Sequence, residues 1–257
     1  MFTINPFAAL SASIPPAVMQ GYVIVMILLV AAGTLFDVVH KGSAKYFFEN
    51  WRRSKAKGKR PLGGGELASI AVQTVVVDVM ASGEFCNPHR RVAHLLTMYG
   101  FVIYCVATAI MVFAYPTPAT PTPAILPRLW WLGGLMVCLG GYWFWFFIRV
   151  DVLAEGHSPL RFVRADLFVV SLVVGVTLGL IWAATGAGAG VLFGLYVIAM
   201  TVLFASVPWS KFAHMFFKPA AAFEKRVSYA NETRSNLPAP ADKPEKFGSA
   251  RELPRHY

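Results

Sequence analysis

The side chains of this sequence that carry the most chemistry are its six histidines, at positions 40, 89, 94, 157, 214 and 256. His94 stands near the start of one long apolar run. His214 stands just past the end of another, in Pro208-Trp209-Ser210-Lys211-Phe212-Ala213-His214-Met215-Phe216-Phe217-Lys218-Pro219. An ionisable side chain at the end of a membrane helix needs water or a partner. Two neutral imidazoles on opposing helices at one depth can take both axial positions of a haem iron. The iron then passes electrons and has no open site for oxygen chemistry. Arg90, Arg91 and Lys211 lie within about a turn of the two histidines and suit the propionates of such a group. The same two positions also suit histidines that only reach out to water at a helix end.

The remaining candidates are weaker. Asp37 and His40 close the first apolar run, where a titratable pair can bind a quinone head group or relay its protons. A solvated helix end uses the same residues. His89 lies five residues before His94, on a different face and nearer water, and His157 and His256 read as surface residues. The three cysteines, Cys86, Cys105 and Cys138, form no CxxC and no metal-ligand spacing. Cys105 and Cys138 read as small packing residues inside apolar runs, and Cys86 sits in a polar turn.

The elements that must position these groups are membrane helices. At 257 residues, 56% hydrophobic, 14% charged and mean hydropathy +0.56, the chain is too apolar for a soluble domain of its size. Five runs reach the roughly 20 residues needed to cross a bilayer core: Ala17–Val39, Val92–Ala114, Leu129–Ile148, Leu167–Ala184 and Val191–Trp209. None contains Lys or Arg, and Asp37 is their one acidic residue. A net charge of +10 would point to nucleic acid in a soluble protein, but here 22 of the 23 Lys and Arg fall on one side of a five-span topology. By the positive-inside rule that side is cytoplasmic, with the N-terminus outside and the C-terminus inside. The expected fold is therefore an all-α, five-helix membrane bundle. No basic residue precedes Lys41, so the first run reads as a retained span.

Residues 1–16 read as an extracytoplasmic lead-in to a membrane domain over 17–219, with a basic cytoplasmic loop at 41–91 and a cytoplasmic tail at 220–257. Within that loop, Lys45-Tyr46-Phe47-Phe48-Glu49-Asn50-Trp51-Arg52-Arg53 mixes rings with basic groups. That mixture suits an interfacial helix on the anionic inner leaflet, and it equally suits a docking face for a cytoplasmic subunit. Gly63-Gly64-Gly65 is not followed by the residues of a phosphate loop. The apolar stretch Glu66 to Met80, interrupted by Gln73 and Asp78, is short for a span and reads as interfacial or re-entrant. Were it a sixth span, every later loop would change sides and the charge asymmetry would collapse.

Further on, the prolines between Tyr115 and Pro127 predict a stiff, extended outer strap. Gly133, Gly134, Gly140 and Gly141, with the rings Trp143 to Phe147, mark the third span. Such residues serve close helix or cofactor approach and an interfacial belt. Gly175 and Gly179 stand at small-xxx-small spacing in the fourth, and Gly186 to Gly190 makes a tight turn. The tail has few apolar anchors after Val227 and is expected to order only against a partner.

The ending Pro208 to Pro219 resembles the last helix of the nitrate reductase gamma-subunit superfamily of membrane cytochromes b. Arg90-Arg91-Val92-Ala93-His94-Leu95-Leu96-Thr97-Met98-Tyr99-Gly100-Phe101 resembles the second helix of its sulfite-reductase-associated and quinone-interacting members. Gly83-Glu84-Phe85-Cys86 resembles the approach to that helix. The resemblance covers about residues 15–219. In nitrate reductase gamma subunits two haems are held by two histidines on each of these helices. Carried over, the second-helix partner ten residues after His94 is Tyr104, and the last-helix partner 18 residues before His214 is Tyr196. The resemblance thus implies one retained haem b, on the inner side, held by His94 and His214. These residues carry no cysteine-rich iron–sulfur motif, so electrons are expected to pass to a separate cytoplasmic iron–sulfur or flavin oxidoreductase. Among the superfamily, a short single-haem chain is most similar to the adenylylsulfate reductase membrane anchor, which implies sulfur metabolism and a bacterial inner membrane.

The expectation is a membrane anchor and electron-transfer subunit that links the quinone pool to that partner. The alternative is a haem-free anchor whose basic loops only dock it. A transporter is disfavoured, because no charged residue lies mid-span and no repeat pairs the spans.

Overall fold

The structure is a computed structural model that describes residues 2–40, 42–83, 85, 87–149, 162, 166–210 and 214–233. Among the described residues the chain is all-helical. Its helices are α1 Pro6–Leu10, α2 Pro16–His40, α3 Ser43–Lys57, α4 Gly64–Gln73, α5 Pro88–Ala114, α6 Ile125–Trp143, α7 Leu167–Ala184, α8 Val191–Ala205 and α9 His214–Ala230. α4 runs on as a π-helical segment, Thr74–Met80, and α6 as another, Phe144–Ile148. Among the described residues, four helices are long and apolar enough to cross a membrane: α2, α5, α6 with its extension to Ile148, and α7. The chain is a multi-pass membrane protein.

The fifth expected span is shorter than its apolar run. α8 stops at Ala205 and a single 3-10 turn, Val207–Trp209, follows. Pro208 supplies the reason, since it lacks the N–H that a continuing helix needs there and biases its predecessor away from helical backbone. Fifteen residues at about 1.5 Å each span about 22 Å, less than the roughly 30 Å of a hydrocarbon core. The 18-residue step from Tyr196 to His214 is thus not one continuous helix, and helical periodicity does not carry from one to the other.

The chain divides into two compact units, Met1–Phe36 with Val92–Ala213, and Asp37–Arg91 with His214–Tyr257. In the first unit α5 and α6 touch backbone to backbone. A Cβ on Gly100 would meet Gly133 O at 2.7 Å, one on Gly133 would meet Tyr104 N at 2.8 Å, and one on Gly140 would meet Ala93 O at 2.6 Å. Ala93 and Gly100, like Gly133 and Gly140, are seven residues apart, so the small residues of each helix form one stripe. The glycines of the third span therefore serve helix approach. α2 is tied on by Gln20, whose Nε2 donates to Val112 O (3.2 Å), and by Tyr22, whose hydroxyl donates to Val197 O (3.2 Å). Arg149 pairs with Asp166 and lies over the Trp145 ring, joining the ends of α6 and α7.

The lead-in is folded. Asn5 caps α1, its Oδ1 accepting from Phe7 N (3.0 Å) and Ala8 N (3.2 Å), with Pro6 at the first helical position. The same side chain donates from Nδ2 to Tyr115 O (2.9 Å) and Thr122 Oγ1 (3.1 Å), which pins the proline strap. Phe7 and Leu10 are buried.

The second unit is built by its last helix. α9 continues through Pro219 into the segment expected to be a tail, and Ala222, Val227, Ser228 and Asn231 are buried. Trp51 of α3 stacks between Phe47 (6.4 Å) and Phe223 (5.6 Å). Asn231 Nδ2 donates to Ser54 Oγ (2.7 Å) and Ser54 O (3.2 Å). Arg226 forks onto Asp78 of the π-helical segment, Nε to Oδ2 at 2.5 Å and Nη2 to Oδ1 at 2.9 Å. The Lys218 ammonium sits 6.0 Å from the Phe85 ring. Residues 234–257 lie outside the described residues.

Candidate functional site

His94 lies on the second turn of α5, half-buried, in the first unit. That helix starts four residues earlier than its apolar run because Asn87 caps it, Oδ1 accepting from His89 N (2.9 Å) and Arg90 N (3.3 Å). Pro88 then takes the first helical position. The cap carries Arg90 and Arg91 into helical register one turn before His94. Arg91 Nε donates to Ala81 O (2.8 Å), which fixes the stem of that guanidinium within the second unit.

His214 opens α9 and belongs to the second unit. Its side chain, like the whole of Lys211, Cys86, His157 and His256, lies outside the described residues. Asp37 and His40 end α2 in the second unit and differ sharply. Asp37 is 1% exposed, so its carboxyl is not the solvated helix end that its position suggests, whereas His40 is exposed. Residues three apart share a helix face, so the buried carboxyl and the exposed imidazole lie along one side of α2. The site residues thus divide as His94 in the first unit and Asp37, His40, Arg90, Arg91 and His214 in the second.

The two positions ten residues after His94 and 18 before His214 are brought together. Tyr104 Oη donates to Tyr196 Oη at 3.1 Å, inside the first unit. The pair is fully enclosed. Trp130 stacks on Tyr104 with centroids 4.8 Å apart, and Trp182 stacks on Tyr196 at 5.7 Å. Trp130 Nε1 donates to Thr108 Oγ1 (3.0 Å), Thr108 Oγ1 donates to Tyr104 O (2.7 Å), and Trp182 Nε1 donates to Gly188 O (2.9 Å). Phe7 of α1 closes the cluster against both indoles, at 6.0 and 5.6 Å. Gly179 makes room for the tyrosines, because a Cβ there would meet Tyr104 Oη at 2.6 Å. Tyr104 is 3% exposed and Tyr196 6%. Two phenols that spend their hydrogen bond on each other, packed between indoles, do not fit a haem that needs two free imidazoles at this level.

At the other position the one described side chain is of the right kind. His94 offers a half-buried imidazole with two guanidinium groups one turn away, and axial haem ligation asks for one such imidazole from each side. Among the described residues, no group of three or more His, Cys, Asp or Glu is placed to hold a metal ion by itself.

Residue patterning left several contributors unread: Phe7, Trp130 and Trp182, which enclose the tyrosines, and Arg226 with Asp78, which lock α9 to the π-helical segment. Only α1 had a local signal, the Asn5-Pro6 cap pair. The Trp and Arg contacts join residues far apart in sequence, and no spacing rule reaches them.

No protein-family model and no solved structure matches the chain. The chain is similar to citrate utilization protein B of Escherichia coli, 26% identical over 196 residues, which cover 68% of this chain and 50% of that protein. The chain therefore spans about half the length of this curated relative.

Proposed function

We propose that the chain is a five-span subunit of a bacterial inner membrane, N-terminus outside and C-terminus cytoplasmic. In this reading it carries one haem b between His94 and His214 and moves electrons between the quinone pool and a cytoplasmic iron–sulfur or flavin oxidoreductase. α8 then serves as the fifth span, with the 3-10 turn to Trp209 completing its length. The single observation that carries the reading is the Tyr104–Tyr196 hydrogen bond. It supports a pairing of the helices that hold the ligand positions in the nitrate reductase gamma-subunit superfamily. It also fills the outer position with phenols, which leaves the inner histidines for one haem.

When bound, a haem with two imidazole ligands supplies one-electron transfer without an open coordination site. Arg90, Arg91 and Lys211 would hold its propionates as charge-assisted partners. His40, exposed, and Asp37, buried three residues earlier on the same helix face, would relay a quinone's proton, from Asp37 through His40 to the quinone on reduction and back from the quinol on oxidation. The second unit, on the cytoplasmic side, meets the soluble partner. The superfamily resemblance places that partner in sulfur metabolism, and the likeness to a citrate utilization protein favours citrate utilization as a second class.

A reduced-minus-oxidised spectrum of the purified protein tests the reading. b-type bands are expected, with one haem per chain by pyridine haemochrome, and are lost in His94→Ala and in His214→Ala. A flat spectrum from folded protein leaves the haem-free anchor as the function. Two haems per chain would overturn the argument from Tyr104 and Tyr196.

A further inference from the structure

α3 has two faces, and only one of them is covered. Phe47, Asn50, Trp51 and Ser54 follow one another at helical spacing, and that stripe packs on α9 through the Phe47–Trp51–Phe223 stack and the Ser54–Asn231 hydrogen bonds. The rings and bases that the sequence offers in one mixture are therefore sorted. Phe47 and Trp51 are spent inside the unit. Lys45, Phe48, Arg52, Lys55 and Ala56 form the opposite, exposed stripe, flanked by Tyr46, Arg53 and Lys57. Phe48 is 57% exposed and Tyr46 61%. None of these five basic side chains makes an ion pair with a described residue. Arg52 makes one weak hydrogen bond, Nε to Phe48 O at 3.4 Å, and Glu49, half-buried, is the single acidic residue of the helix.

The place of this stripe along the chain says what it meets. α3 starts three residues after α2 ends, a reach of at most about 11 Å. Gly42, at φ +66°, supplies the left-handed backbone that lets the chain leave the line of α2. The first turn of α3 therefore starts within reach of the headgroup layer that borders the span. Two exposed rings among five cations, on a helix whose first turn starts there, match an anionic lipid surface, where rings sit at the headgroups and bases meet phosphates. A docked protein would need both acidic groups and an apolar patch to match the stripe, and the lipid surface that borders the span offers both.

We infer that the Lys45–Phe48–Arg52–Lys55 face of α3 binds the headgroups of anionic phospholipids. The inference is independent of the haem and rests on the proposed topology only in assigning the leaflet as cytoplasmic. It also confines a soluble partner to other surfaces of the second unit.

The test uses the full-length chain in lipid nanodiscs, with Cys86→Ser, Cys105→Ala and Cys138→Ala removing the native thiols. Ala56→Cys, on the same stripe, carries an environment-sensitive fluorophore. The expected result is emission at shorter wavelength in phosphatidylglycerol discs than in phosphatidylcholine discs, and reversal of that shift by salt. The triple variant Lys45→Gln/Arg52→Gln/Lys55→Gln loses the shift, and Lys45→Arg/Lys55→Arg keeps it. The conservative pair separates lost charge from lost folding, and an unchanged gel-filtration profile verifies both variants. A water-like emission in both lipids would overturn the inference and leave a solvated face. So would a label that is water-exposed in both discs and shielded only in native membranes, which would assign the stripe to a protein. A haem-free preparation that shows the shift would sink the cytochrome reading and leave this one standing.

Discussion

The two units of this chain hold their helices together in opposite ways. In the first, helices meet where side chains are missing: Gly100, Gly133 and Gly140 let backbones touch, and Gly179 admits a tyrosine pair. In the second, helices meet through long side chains. Arg226 forks onto Asp78, Asn231 clasps Ser54, and Trp51 stacks on Phe223. There Gly42, Gly63, Gly64 and Gly65 have open space around them and serve chain direction. Lipid tails are as apolar as leucine, so helices in a bilayer gain little by burying leucine against each other. Close approach and internal hydrogen bonds must do that work. A unit that meets water can gain by stacking rings out of it and by clamping charges at the rim. On the proposed topology, the contrast follows from two solvents acting on one chain.

The largest break in that contrast comes from giving the first unit a side chain at a crossing. Gly140→Val sets a Cβ at 2.6 Å from the Ala93 carbonyl and the Thr97 hydroxyl, and the carbonyl is backbone that cannot swing away. We expect a loss of about 3 kcal/mol or more, read as aggregation on gel filtration in detergent. Gly65→Val, in the open second-unit stretch, leaves the profile unchanged. An intermediate effect comes from cutting the clamp. Arg226→Ala leaves the Asp78 carboxylate mostly buried without its fork, at a cost of about 2 kcal/mol. Hydrogen exchange checks it, with faster exchange expected in α3 and α9 and none in α5 to α8. Faster exchange in both units would show that the two are one cooperative block. The smallest effect is Tyr104→Phe, which removes one hydrogen bond and keeps the ring stack, for about 0.6 kcal/mol by thermal unfolding.

Hydropathy made the spans legible: α7 ends at the residues the pattern names, and α2 differs by one residue at each end. The helix ends were less legible where a cap or a proline overrides composition. Asn87 pulls α5 forward through Arg90 and Arg91, and Pro208 cuts α8 short. The tail helix was hidden because its anchors, Phe223, Arg226 and Asn231, are few and contact residues up to 177 positions away. Of the site, the helix carrying His94 was legible, and so was the coupling of positions 104 and 196, although only as two missing histidines. What fills their place became visible through packing alone, since Trp130 and Trp182 come from helices that residue spacing treats as ordinary spans. Asp37 shows the limit of reading by position, because a carboxylate at the end of a span is nevertheless buried.

The Asn5-capped helix has a consequence for how the protein is made. Phe7 needs Trp130 and Trp182 as its seat, and Asn5 needs Tyr115 and Thr122. A ribosome delivers residues 5–10 before any of these partners, and the last of them emerges more than 170 residues later. The segment must therefore wait, unseated, until the helix that carries Trp182 has been made, and it takes its seat only then. A bulky reporter fused directly ahead of Asn5 would interfere with that late seating, whereas one placed beyond Thr233 would leave it untouched.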